Sequence, residues 1–237
     1  MQFECVSRTN VGLKRQINED SVLVRTERGL WAVADGMGGH DAGEVASAKV
    51  VDALAALPAA DGLDTLVESA VAALIRVNRE LIALATSNGS QRTIGSTAVG
   101  LIISGDRYCC FWAGDSRAYR LRGGEIARLS KDHSLVQGLI DAGLLKPEEA
   151  EGHENANVIT RAVGVIPELV IDTVVGDVQS GDLFLLASDG LTRLVSDDEI
   201  AAELESQPLD QAADRLIETV LERGAPDNVS LVITRVS

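Results

Sequence analysis

Apolar residues fall into short runs rich in β-branched and aromatic side chains, the pattern of strands with one or both faces buried. Nine runs predict strands: Ser21 to Arg25, Leu30 to Ala34, Thr97 to Ile103, Arg107 to Ala113, Arg117 to Leu121, Glu125 to Leu129, Leu169 to Val175, Asp182 to Ala187 and Asn228 to Val236. Arg122-Gly123-Gly124 predicts a hairpin, with the glycines supplying positive φ. Helical spacing takes over at Val50, Ala53, Leu54 and Leu57, and again at Leu63, Leu66, Val67, Ala70 and Leu74. Ser196 and Glu199 form a capping box ahead of Ile200, Ala201 and Leu204. Pro208 opens a last helix on Leu209, Ala212, Ala213, Leu216 and Val220, which stops near Gly224 and Pro226. Helices early, strands through the middle and helices late do not alternate as βαβ units. The order predicts an α+β fold of mainly antiparallel sheets packed together, with helices outside.

The 237 residues carry no repeat, low-complexity tract or Pro/Ser-rich linker, so a single domain over 1–237 is expected. Residues 134–157 are acidic and weakly periodic, which predicts a mobile flap. A net charge of −15 disfavours nucleic acid and anionic membrane surfaces as partners and favours divalent cations. No stretch reaches the ~20 apolar residues of a membrane span, and the first residues lack the apolar core of a signal peptide. Three cysteines, two of them adjacent at 109 and 110, do not read as a disulfide framework; a cytoplasmic monomer is expected.

Candidate chemistry lies in the aspartates. Leu30-Trp31-Ala32-Val33-Ala34 runs into Asp35-Gly36, Phe184-Leu185-Leu186-Ala187-Ser188 into Asp189-Gly190, and Phe111-Trp112-Ala113-Gly114 into Asp115. Asp20 and Asp227 flank strands in the same way. A strand that ends in Asp-Gly delivers a carboxylate on a rigid support, and the glycine lets the chain turn and expose its carbonyl. Any one such aspartate is more often a turn or a cap. Several that converge would repel one another unless a cation neutralised them, and an all-oxygen set suits Mg²⁺ or Mn²⁺.

These residues sit in motifs that resemble the metal-dependent PPM-type protein serine/threonine phosphatases in their compact bacterial form. The matching stretches are Arg15-x-x-Asn18-Glu19-Asp20, Ala34-Asp35-Gly36-Met37-Gly38-Gly39-His40, Gly95-Ser96-Thr97, Gly114-Asp115-Ser116-Arg117, Asp132-His133-Ser134, Ile159-Thr160-Arg161-Ala162-Val163-Gly164, Ser188-Asp189-Gly190-Leu191 and Asp227-Asn228. They follow the family's order over the whole chain. The resemblance implies a four-layer α-β-β-α sandwich with two Mn²⁺ or Mg²⁺ ions in a cleft at one end of the sheets. Asp35 would bridge both ions, Gly36 would offer its carbonyl, Asp189 and Asp227 would complete one shell, and Asp20 and Glu19 would act directly or through water. Asp115 matches the family's ligand for a weaker third metal. The acid that usually accompanies it, four residues after Asp189, is replaced by Arg193, whose guanidinium stands where that charge would be.

The same resemblance implies hydrolysis of phosphoserine and phosphothreonine on proteins by metal-activated water, opposing a Ser/Thr kinase. Arg15 would clamp the phosphate with its planar fork, and His40, five residues past Asp35, is the candidate general acid. The stretch from Gly29 to Glu44 also looks like stand-alone phosphatases that oppose a kinase controlling type VI secretion. Other chemistries fit poorly. Six residues separate Cys110 from Arg117 where a cysteine phosphatase needs five, and Gly36-Met37-Gly38-Gly39 lacks the later glycine or lysine of nucleotide loops. The remaining alternative is a phosphatase-like module that only binds a signalling partner.

Overall fold

The computed structural model describes residues 1–38, 42–60, 62–87, 93–150 and 152–237. Its strands are β1 (Phe3–Asn10), β2 (Asp20–Arg25), β3 (Leu30–Gly38), β4 (Ile94–Ser96), β5 (Ala98–Ser104), β6 (Arg107–Ala113), β7 (Arg117–Arg122), β8 (Glu125–Arg128), β9 (Asp172–Asp177), β10 (Leu183–Ala187) and β11 (Val229–Val236). Its helices are α1 (Ala42–Ala55), α2 (Leu63–Thr86), α3 (Leu135–Asp141), α4 (Asp189–Thr192), α5 (Asp197–Ser206) and α6 (Leu209–Glu222).

One sheet has the order β1-β11-β10-β7-β8; the other runs β2-β3-β5-β6-β9, with β4 paired to β3 beside that path. All these pairings are antiparallel. The period of two sorts each central strand into two cores. Trp31, Val33, Phe184, Leu186 and Val232 meet between the sheets, where Tyr108 packs edge-on against Phe184 with ring centroids 5.0 Å apart. Leu30, Ala32 and Ala34 turn the other way onto α1 and α2, and Leu183, Leu185, Leu231 and Ile233 onto α4, α5 and α6. The result is the expected four-layer α-β-β-α sandwich.

The capping box at Ser196 and Glu199 forms as predicted, and α6 follows Pro208. Gly123 and Gly124 both adopt positive φ in the β7–β8 hairpin. β1, β4, β9 and α4 differ from the sequence reading. β1 was not foreseen: it is an edge strand paired only with β11, and its burial is mostly partial. β4 was missed because three residues carry no period. β9 starts at Asp172, not Leu169, because Leu169 is buried in the helix-side core outside the ladder with β6. The segment after Ala187, read as a turn, is the single helical turn α4.

Candidate metal centre

Register brings the first two carboxylates together. In the β2–β3 ladder Asp20 is the direct partner of Asp35, so both side chains share one face. At this point β3 changes neighbour, leaving β5 after Val33 and pairing Gly36 with Ser96 of β4. β3 therefore does not stop at Ala34. Thr97 fills the gap between the two ladders: its N–H donates to the Asp35 carbonyl at 2.8 Å, and its hydroxyl accepts the Asp35 N–H at 2.9 Å. Gly36 has no positive φ and makes no sharp turn. It is needed because a Cβ there would strike the carbonyl groups of Gly43 and Glu19, which hold α1 close against β3.

The other sheet contributes Asp189, first residue of α4 at the end of β10, and Asp227, just ahead of β11. Ser188 ties the two sheets at this end. Its hydroxyl donates to Asp20 Oδ2 at 2.8 Å and accepts the Ser230 N–H at 2.9 Å. Asn228 pins the loop that carries Arg15 and Glu19: its amide donates to the carbonyls of Val11 and Ile17 at 2.9 and 3.0 Å, and its Oδ1 accepts the Glu19 N–H at 2.8 Å. Sequence reasoning assigns Ser188 and Asn228 no role, although both lie inside the matching motifs. Their polar character beside Asp189 and Asp227 was the available signal.

Burial chiefly pushes the Asp20 carboxyl up to about 7; hydrogen bonds from Ser230 and Ser188 oppose this, and repulsion from Asp189 and Asp227 adds to it. Asp115 is likewise pushed to about 7, first by burial and then by Asp189. Asp35 is raised well above the ordinary carboxylate range by burial, with Asp189, Asp20, Asp115 and Asp227 all adding repulsion. Asp189 is raised by burial, against the pull of Arg193. Among the described residues, the buried Oδ1 atoms of Asp20 and Asp115 have no hydrogen-bond partner. Crowded anions with orphaned oxygens fit a site completed by hard divalent cations.

Two arginines hold some of these carboxylates. Arg15 donates to Asp227 Oδ2 at 2.8 Å, and Arg193 reaches Asp189 Oδ2 at 2.6 Å and Asp115 Oδ2 at 3.3 Å. With the side chains so turned, no three His, Cys, Asp or Glu groups among the described residues are gathered as a ready cation shell. Arg15, expected as a phosphate clamp, is thus an ion-pair partner of Asp227, and Asp115 is paired with the guanidinium that replaces its expected acidic companion. Glu19 lies against α1, where a Cβ on Gly43 would meet its carboxylate; an anion is favoured beside that helix N-terminus. His40 lies outside the described residues. His133 is a structural residue: its Nδ1 accepts the Gly114 N–H, and its Nε2 lies 3.1 Å from Asp172. Among the described residues no helix is long and apolar enough to cross a membrane.

A model of the protein phosphatase 2C family matches residues 13–231. Serine/threonine protein phosphatase PstP of Mycobacterium tuberculosis is 39% identical over 233 residues, or 97% of the present chain, which spans only 44% of that relative's length. Protein phosphatase PhpP of Streptococcus pneumoniae is 36% identical, with 95% of this chain and 94% of its own covered. Among solved structures, PppA of Pseudomonas aeruginosa, described as a key regulatory component of its type VI secretion system, superposes with a TM-score of 0.91 at 40% identity, covering 99% of this chain and 98% of its own. A PstP catalytic domain in complex with two manganese ions superposes with a TM-score of 0.87 at 37% identity, with 99% of each chain covered.

Proposed function

The chain belongs to the protein phosphatase 2C family, and from that premise we propose that it hydrolyses phosphoserine and phosphothreonine on proteins with two Mn²⁺ or Mg²⁺ ions. The observation that carries the reading is the crowding of buried charge around Asp35: burial first, and then four further aspartates, raise its pKa, and two of those aspartates keep buried oxygens without partners. Asp20, Asp35, Asp189 and Asp227 would hold the ions with the Gly36 carbonyl, and Glu19 would assist through water. The two-manganese PstP domain supports this count. When bound, such a pair supplies water that is acidic near neutral pH and neutralises charge on the phosphoryl oxygens.

The protein's own groups do the remaining work. Asp20 and Asp35 are fixed by the β2–β3 register, and Ser188 orients Asp20 through its hydroxyl. Arg15 is paired with Asp227; were Asp227 to ligate a cation, the Arg15 fork would be available to grip two phosphate oxygens. His40 is proposed to protonate the leaving serine or threonine oxygen. Phosphorylated proteins, including a Ser/Thr kinase and its substrates, are the proposed partners, and the likeness to PppA supports a role in type VI secretion.

Hydrolysis of p-nitrophenyl phosphate and of a phosphothreonine peptide tests the reading. Turnover is expected with Mn²⁺, is abolished by EDTA, and is lost in Asp35→Asn. Unimpaired turnover in EDTA, or in that variant, defeats it.

A further inference from the structure

Arg193 follows α4, four residues after Asp189, and joins three segments that are remote in sequence. Its Nη2 forms an ion pair with Asp189 Oδ2 at 2.6 Å and donates to Asp115 Oδ2 at 3.3 Å, and its Nη1 donates to Asn157 Oδ1. Asp189 follows β10 in one sheet, Asp115 follows β6 in the other, and Asn157 lies at the end of the 134–157 segment. The backbone under Arg193 is fixed as well, because its N–H donates to the Asp189 carbonyl at 3.0 Å. A cavity of roughly 130 Å³ opens here, lined by Asp115, Asp189 and Arg193 together with Ala150, Ala156 and Asn157.

Asp115 is only 5% exposed, so its charge must be balanced locally. A dissociable ion could do so, but a guanidinium nitrogen already lies within reach of both carboxylates. An entering cation would have to displace those charge-assisted bonds and would feel the repulsion of the displaced arginine. A guanidinium also differs from a spherical ion in shape. Its five donors lie in one rigid plane, so the group that neutralises the acids can also bind the side-chain carbonyl of Asn157.

We propose that Arg193 is a built-in cation for the Asp115–Asp189 pair, so that the chain takes up two dissociable ions and no third, and that the same guanidinium tethers the end of the 134–157 segment over the cavity. Arg193 acts here as a positioning residue. The ion count rests on the function proposed above, whereas the tether rests on the contact with Asn157.

Calorimetric titration of the metal-free chain with Mn²⁺ should saturate at two ions, and Asp115→Asn should leave that number unchanged. Arg193→Asp should admit a third, weaker ion, which the added Asp115→Asn change removes. Amide hydrogen exchange over residues 153–157, measured on the same proteins, should quicken roughly tenfold in Arg193→Ala and in Asn157→Ala. Arg193→Lys separates the two roles: an ammonium keeps the charge but lacks the fork, so two ions should still bind while exchange quickens. A third ion in the native chain that Asp115→Asn abolishes overturns the built-in cation. Unchanged exchange in Arg193→Ala and Asn157→Ala overturns the tether. A native chain that binds no Mn²⁺ defeats the two-ion reading and the count together, and the exchange measurements still decide the tether.

Discussion

Asp20 and Asp35 oppose each other in register across the β2–β3 ladder, two acids where a sheet ordinarily places partners of opposite charge or none. Their separation along the chain is irrelevant to the repulsion; the ladder alone sets it. Such an arrangement stores instability in the metal-free protein that a cation relieves. Asp35→Asn should therefore raise the melting temperature in EDTA, by roughly 1–4 °C for a like-charge pair in a domain of this size. The same change should weaken Mn²⁺ binding and cut turnover by about 100-fold or more, since several kcal/mol of charge stabilisation are at stake. Melts with and without metal, set beside initial rates, check both signs at once.

The pH dependence has a definite direction. Asp20 and Asp115 rise from an ordinary 3.8 to about 7 in the fold, so between those values the folded chain holds protons that the unfolded chain has released. Their contribution to stability is complete below about pH 4 and is lost as pH rises through 7. Mn²⁺ binding requires the ionised Asp20 and releases its proton, so the stabilisation conferred by metal grows over the same interval. The gap between melting temperatures in Mn²⁺ and in EDTA should widen from pH 5 to pH 8. A constant gap would show that these carboxylates do not titrate there.

Arg15 should show two effects of opposite sign. Its pKa is raised above the free value chiefly by the hydrogen bond to Asp227, so the guanidinium competes with a cation for that carboxylate. Arg15→Ala removes that competitor and should tighten Mn²⁺ binding, by about two- to fivefold for a half-exposed pair worth up to roughly 1 kcal/mol. It also removes the proposed phosphate grip and should raise KM for a phosphopeptide. Weaker metal binding in this variant would contradict the competition.

Much of this site was legible in the sequence because strands ending in acids are a local pattern. The runs into Asp35 and Asp189 announce themselves in the hydrophobic spacing, and the two-core sorting of Trp31 against Ala32 follows from the period of two. What could not be read depends on which strands become neighbours. The opposition of Asp20 and Asp35 requires the β2–β3 register, and the change of partner at Asp35 requires the three-residue β4. Asn228 braces a loop more than 200 residues away, a relationship no local pattern encodes. Arg193 was visible as a departure, but its contact with Asn157 was not.

Ser188→Ala tests the link between the sheets. The hydroxyl is wholly buried and serves Asp20 Oδ2 and the Ser230 N–H together, so its removal leaves both without that partner. The expected cost is about 1–3 kcal/mol. It should be larger at pH 8 than at pH 5 in EDTA, because the Ser188 bond stabilises the ionised form of Asp20. Denaturant unfolding at the two pH values measures the difference.

The tightest steric demand falls on Gly36. A methyl group there would meet the Gly43 carbonyl of α1 and the Glu19 carbonyl, both backbone atoms that cannot rotate away. To admit it, α1 or the loop bearing Glu19 must move, and either shift displaces groups that surround Asp35. Gly36→Ala should therefore cost about 1–3 kcal/mol as an overpacking change and should lower Mn²⁺ affinity as well. Gly138 in α3 provides the control, since a Cβ there meets nothing within 4 Å and its φ is not positive. Gly138→Ala should stabilise the chain by about 0.4–1 kcal/mol through the unfolded state, leaving metal binding unchanged. If both substitutions proved equally harmless in unfolding and in Mn²⁺ titration, the close seat of α1 against β3 would not be what shapes the cleft.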